Sequence, residues 1–314
     1  MALVAGIDIG GTNMAASLVD DDHHLVARIK RKTPTEGPDA VLKAAVEMVR
    51  SLDDRPSAVG VGIHGPVNDG VVTNPPNLQN WPAHVDVGPQ LGTLLGVPVV
   101  VGNDANVGVL AEWVAGAAQG ARFVLGVWMG TGVGGGLVLD GRPYTGALGG
   151  AGEFGHMVVH MGGARCGCGR RGCIEAYAGR AAMERSVELA VAGGRASRLT
   201  EIRDDRGKDR LTSSVWDKAL DEGDGLATEL FDEAIAAICV GIGAAINLLD
   251  LDRVVLGGGF AEKLGDDLAA RVAHETRPWV LLPRDHVDVV VAQLGDDAGI
   301  VGAAALARAA MLRR

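Results

Sequence analysis

The chain has 314 residues, 47% of them apolar, a globular composition with room for two domains that each bury a core. Its formal net charge of −10 argues against a general nucleic-acid binder, which needs a basic face, but leaves small anions open because backbone amides bind them inside acidic proteins. Aromatic residues make up only 4% and glycines number 47, so Ala, Val, Ile and Leu must build the core, with many tight turns between elements.

The chain starts "MALVAGIDIGGT", with no basic stretch ahead of a long apolar run. A secretory signal is not expected, and the location expected is cytoplasmic. Residues 3–20, "LVAGIDIGGTNMAASLVD", predict a β-hairpin with a glycine-rich turn. Residues 38–52 carry helical spacing, with Asp39 as the expected N-cap. Residues 58–65 and 97–104 predict short buried strands, and 105–118 a helix with a small-residue face. Residues 123–141, "FVLGVWMGTGVGGGLVLDG", repeat the plan of the first hairpin, and their glycines break the run too often for a membrane span. The segment 173–193 predicts a helix, 193–225 a polar surface excursion with short helices, and 226–250 a long apolar helix against the sheet. Residues 253–261 predict a strand entering a glycine turn, and 298–311 the last helix. Asp250 and Asp252 are expected at the surface and Cys239 in the core. Alternating strands and helices imply an α/β fold, and the matching hairpins a duplicated one around a central cleft. The expected domains are residues 1–115 with 299–314, a smaller α/β domain, and 116–298, a larger one.

Three glycine turns follow strand ends: Asp8–Asn13, residues 129–136 and residues 256–259. Each could be an ordinary tight turn, but three of them suit a split phosphate and nucleotide site. An Asp at a strand end, such as Asp8, can hold hydrated Mg²⁺. In "GNDAN" (102–106), Asp104 is either a helix cap or a general base that takes a hydroxyl proton as the oxygen attacks phosphorus. "CGCGRRGC" holds Cys166, Cys168 and Cys173, three of the four cysteines. A disulfide, a redox pair or a metal site would explain them; a reducing compartment and the C-x-C-x₄-C spacing favour metal. His156 supplies a fourth ligand, with His160 as the competing candidate, and the Cys₃His set suits a closed structural zinc site. Such a loop would fix His156 and Glu175 in place to meet a polyhydroxyl ligand; the alternative is that the carboxylates here, Glu153 and Glu175, are solvated loop residues. Asn77, in a proline-rich loop, is a further possible contact.

Together "DIGGT", "GNDAN", "VWMGTGVGGGLVLDG", "EFGH" and "CGCGRRGCIE" resemble the ROK family of sugar kinases and related repressors, and within it the bacterial glucokinases, over nearly the whole chain. The resemblance implies an actin-like (ribonuclease H-like) fold of two domains with ATP in the cleft, and glucose as the phosphoryl acceptor. It implies Asp104 as general base, with Gly65, Asn77, Asn103, Asp104, Glu153, His156 and Glu175 at the sugar. Gly10, Gly11, Thr12, Asn13, Thr131 and Gly132 would lie at the phosphates, Gly257 and Gly258 at the adenosine, and Asp8 at Mg²⁺. His156, Cys166, Cys168 and Cys173 would bind zinc. Neither nucleic acid nor membrane is an expected partner, whereas a homodimer or homotetramer is. Kinases of mannose, N-acetylmannosamine or fructose are the nearest rivals, a polyphosphate donor is another, and a sugar-sensing repressor is disfavoured because the first strand begins by about residue 3. Two positions depart from the family pattern: Asn13 stands where many relatives have Lys, and His64 where proline is usual. Neither is expected to touch Asp104.

Overall fold

The structure is a computed structural model that describes residues 3–282 and 287–312. The chain divides into two compact units, one of Met1–Ala121, Gly136–Gly152 and Gln293–Arg314, the other of Arg122–Gly135 and Glu153–Ala292. Residues 1–2 and 313–314, the ends of the first domain expected from sequence, lie outside the described residues.

In the first unit β1 (Val4–Ile9), β2 (Asn13–Val19) and β3 (Leu25–Lys32) form an antiparallel meander. β3 alternates in burial and turns Lys30 and Lys32 to solvent, which blunts an exposed sheet edge. α1 (Pro38–Arg50) leads to β4 (Val59–Ile63), which is parallel to β1. A small antiparallel sheet follows, of β5 (Val67–Asn68), β6 (Val71–Thr73) and β7 (His84–Asp86). α2 (Val87–Leu95), β8 (Val99–Asn103), parallel to β4, and α3 (Asp104–Ala115) come next. The main sheet has the order β3-β2-β1-β4-β8, and its core holds Ile7, Ile9, Met14, Leu18, Val61 and Ile63. Asp39 is not the N-cap of α1: Gly37 holds that position and Pro38 opens the helix, leaving Asp39 in the first turn, where its charge still favours the helix dipole.

The second sheet repeats this plan in the order β11-β10-β9-β12-β13. Its strands are β9 (Phe123–Met129), β10 (Val133–Leu139), β11 (Arg142–Pro143), β12 (Arg253–Gly257) and β13 (Asp288–Val291), with β9, β12 and β13 parallel. Each sheet runs third, second, first, fourth, fifth strand, the duplication that the paired hairpins predicted. Between β11 and β12 lie a 3₁₀ turn at Phe154–His156 and α4 (Glu175–Ala178), α5 (Arg180–Ala192), α6 (Arg198–Asp205), α7 (Ser213–Asp221) and α8 (Gly225–Leu249). α9 (Gly259–Thr276) follows β12.

Three expectations need correction here. The helix expected over 173–193 is two, because Gly179 is extended: a Cβ there would lie 2.8 Å from the Glu175 carbonyl oxygen, and the Arg180 N–H leaves for the Gly130 carbonyl. The stretch 193–225 is not merely a surface excursion, since Trp216 on α7 is fully buried and meets the edge of Phe260 at 6.3 Å. Asp252 is not a free surface residue: its carboxylate accepts the backbone N–H groups of Arg122 (2.9 Å) and Phe123 (3.1 Å), tying the start of β9 to that of β12. Cys239 is buried, as expected, and α8 is long and apolar enough to cross a membrane, yet 56% of its apolar window is buried inside the protein.

α10 (Ala298–Met311) completes the first unit. It lies on β1 and β4 at backbone contact: a Cβ on Gly60 would sit 1.7 Å from the Ala303 carbonyl oxygen, and one on Gly302 1.7 Å from that of Val107 on α3. Glycine is required at both positions, and the close contact brings the start of α10 to the end of β1, where Asp8 lies.

Candidate active site

The turn between β1 and β2 is closed by backbone bonds from Gly10 N–H to Asn13 O (3.0 Å) and from Thr33 N–H to Thr12 O (3.0 Å). The Thr33 hydroxyl also donates to Gly10 O (2.6 Å). Gly11, Thr12 and Asn13 are exposed at the tip. Asn77 backs the turn so closely that a Cβ on Gly11 would meet its carbonyl oxygen at 2.7 Å. The Asp8 carboxylate faces Gly299, where a Cβ would lie 2.7 Å from Asp8 Cγ. Burial, reinforced by the charge of Asp104, pushes Asp8 up to about 6.

Asn103 ends β8 and caps α3. Its Oδ1 accepts the N–H groups of Ala105 (3.0 Å) and Asn106 (3.2 Å), while its Nδ2 donates to Gly65 O (3.1 Å) and to Asp104 Oδ1 (2.9 Å). The cap thus falls on Asn103, and Asp104 is the first helical residue, with its carboxylate held by its neighbour. Gly65 has φ +94°, and a Cβ would strike Pro75 Cα at 2.9 Å, so only glycine fits the bend that carries the acceptor for Asn103.

The expectation that His64 stays clear of Asp104 is overturned. Its Nδ1 lies 2.6 Å from Asp104 Oδ2. The cause is strand register: Ile63 on β4 pairs with Asn103 on β8, so the residues after each strand, His64 and Asp104, emerge side by side. No local sequence signal carries that pairing.

In the second unit, the turn between β9 and β10 holds Thr131, which is exposed, and Gly132. Glu175, at the start of α4, passes behind it and accepts the Val133 N–H through Oε2 (3.1 Å). A Cβ on Gly132 would lie 2.2 Å from that oxygen, so glycine here makes room for a carboxylate. The backbone N–H groups of Arg180 and Ala181 bond to Gly130 O (3.1 Å) and Thr131 O (3.0 Å). The Arg180 guanidinium reaches Thr131 Oγ1 and Ser213 Oγ, both at 3.3 Å, which puts a half-buried cation on the turn. Sequence reasoning missed Arg180, because "AGRAAM" looks like an ordinary helix start. Gly257 ends β12 under the Trp128 ring, and Gly258, with φ +83°, caps α9; a Cβ on Gly258 would meet Met129 O at 2.6 Å.

His156 closes the 3₁₀ turn, and Glu153 precedes it, exposed. The ligand atoms of His156, Cys166, Cys168 and Cys173 all lie within 4.8 Å of one another. Cys166 Sγ is 3.7 Å from His156 Nδ1, and Cys168 Sγ is 3.8 Å from Cys173 Sγ. Four ligands on a tetrahedron about 2.3 Å from a zinc ion stand roughly 3.8 Å apart, so this soft donor set fits zinc with little movement. His160 is elsewhere, stacked on Tyr177 at 6.3 Å. In the free thiol state burial pushes Cys166 up to about 12, and the backbone N–H of Arg170 holds the exposed Cys168 below the ordinary thiol value. Cys166 Sγ also lies 3.6 Å from Glu175 Oε1, so one carboxylate links the cysteine loop to the Thr131 turn.

Two α/β sheets of one repeated plan, each opened by a hairpin with a glycine turn, define the actin-like fold of two domains. The chain belongs to the ROK family, whose model matches residues 4–310. It is 34% identical to a glucokinase of Streptomyces coelicolor over 316 residues, covering 98% of each chain. It is 32% identical to an N-acetylmannosamine kinase of Salmonella typhi over 307 residues, covering 96% of this chain and 97% of the relative. Among solved structures it is similar to a ROK family glucokinase of Streptomyces griseus in complex with glucose and AMPPNP, with a TM-score of 0.81, 32% identity and coverage of 98% and 100%.

Proposed function

We propose that this ROK-family sugar kinase transfers the γ-phosphoryl group of ATP to the 6-hydroxyl of glucose. The observation that carries the reading is Asp104, a half-buried carboxylate presented by the first turn of α3 and oriented by Asn103, in a chain that aligns end to end with curated glucokinases. As the 6-hydroxyl oxygen attacks phosphorus in line, Asp104 takes its proton. Asn103, itself anchored by the Gly65 carbonyl, holds that carboxylate, and Gly65, Asn77, Glu153, His156 and Glu175 are the proposed surroundings of the sugar hydroxyls. The turns Gly10–Asn13 and Thr131–Gly132 offer N–H and hydroxyl groups to the phosphates, with Gly257 and Gly258 at the adenosine. Arg180 adds a cation to the Thr131 turn. Asp8, a half-buried carboxylate raised by desolvation and then by the charge of Asp104, suits a cation, and Mg²⁺ there would offset negative charge on the transferring group. Zinc on His156, Cys166, Cys168 and Cys173 would be structural, fixing the loop that leads to Glu175.

The test is a panel of glucose, mannose, fructose, N-acetylmannosamine and N-acetylglucosamine with Mg²⁺–ATP. Glucose should give the highest kcat/KM, by about tenfold or more, a difference of roughly 1.4 kcal/mol in transition-state binding. N-acetylmannosamine as the preferred acceptor would leave the mechanism and refute glucose. Asp104→Asn should lose about three orders of magnitude in kcat while still binding sugar; a variant that keeps most of its kcat removes Asp104 from the role of base.

A further inference from the structure

We propose that His64 is a positioning residue for phosphoryl transfer, its Nδ1 holding Oδ2 of Asp104 so that the base works as a His–Asp pair and not as a lone carboxylate. The inference rests on Asp104 being the base. It begins with the 2.6 Å contact and with the second hold on the same group, Asn103 Nδ2 on Oδ1 at 2.9 Å. With one donor on each oxygen the carboxylate cannot rotate freely. A carboxylate has about four lone-pair sites, so each oxygen keeps one for an incoming hydroxyl. A base fixed in orientation before substrate arrives needs no reorganisation during the step.

The protonation state of His64 then matters. Neutral, with its proton on Nδ1, the ring orients Asp104 and leaves its negative charge uncompensated. As imidazolium it forms an ion pair with Asp104 that transfer of the substrate proton would have to break. Two carboxylates act on the ring, Asp104 at the start of α3 and Asp8 at the end of β1; Asp8 is itself acted on by Asp104, Asp296 and Arg28. The hydrogen bond to Asp104 raises His64 above its ordinary value, against the opposing effect of burial. The imidazolium therefore survives to higher pH than in a free histidine, and turnover should rise as pH climbs through that range. Register makes the pair possible, and the histidine at position 64 supplies its second member.

The experiment is the pH profile of kcat, at saturating sugar and Mg²⁺–ATP, for the full chain and for His64→Gln and His64→Ala. In the unsubstituted protein kcat should fall about threefold or more from pH 8 to pH 6. That limb should be absent from both variants, and His64→Gln, whose amide can still donate to Oδ2, should retain more kcat than His64→Ala at pH 8. Superimposable profiles in all three proteins would overturn the proposal. A second readout does not depend on turnover. The ring of His64, followed by NMR in the ligand-free, metal-free chain, should titrate above the ordinary 6.5, and its midpoint should drop in Asp104→Asn. An unmoved midpoint would refute the pair. Absence of turnover on every sugar would instead defeat the reading of Asp104 as base, and the titration would still decide whether the two side chains are coupled.

Discussion

Glu112, in the third turn of α3, is fully buried, and its carboxylate has a structural task that can be priced. Oε1 accepts the backbone N–H groups of Gln293 (3.0 Å) and Leu294 (2.9 Å), and Oε2 that of Ala117 (2.8 Å). It thereby fastens the helix that begins at Asp104 to the segment that enters α10. Glu112→Ala removes the acceptor of the two N–H groups at 293 and 294. A buried donor left without a partner costs about 1–3 kcal/mol, more when the lost acceptor was charged. Gln293 is exposed, so water replaces part of the loss. The expected destabilisation is therefore about 2–4 kcal/mol, which for a unit of this size lowers Tm by roughly 5–15 °C. Thermal unfolding followed by far-UV circular dichroism measures it. Glu112→Gln keeps one oxygen acceptor and should fall between the two. An alanine variant that melts within about 2 °C of the parent would show that the carboxylate is not the fastener, and the argument would fail.

Two further outcomes follow from the site. Asp8 has a folded-state value near 6, above its ordinary 3.8, so its protonated form is favoured by folding: that stability is present below about 3.8 and lost as pH rises through about 6. Asp8→Asn should therefore raise the Tm of the ligand-free protein at pH 7.5 but not at pH 3.5, while abolishing Mg²⁺-dependent turnover; equal Tm differences at the two pH values would contradict the assignment of strain to Asp8. Cys168→Ser removes one of four zinc ligands, and elemental analysis should find the metal gone, with sugar affinity weakened by about tenfold through the loosened Glu175 loop. A zinc-free variant that binds sugar as tightly as the parent would detach the loop from recognition.

How much of this was legible in the chain depends on the range of the interactions concerned. Hairpins at residues 3–20 and 123–141, the strands at 58–65 and 97–104 and the long helix at 226–250 are written in local periodicity and glycine punctuation, and each is present, although β8, expected to be buried, buries only Val101. The cysteine loop was legible because its ligands lie within eighteen residues, at a spacing that few other needs explain. The competition between His156 and His160, four residues apart, was not legible: the 3₁₀ turn and the stacking of His160 on Tyr177 decided it. Gly132 looked like a ligand-facing glycine, whereas its first necessity is the Glu175 carboxylate forty-three residues away.

The sequence by itself determined the class of fold, the family and the residues able to do chemistry, because secondary structure and motifs rest on interactions between near neighbours in the chain. Only the tertiary structure decided which of those residues meet. Parallel strands, joined through a helix, set their register by the packing of whole faces, so the meeting of His64 with Asp104, forty residues apart, follows from the alignment of β4 and β8 and not from any pattern in either segment.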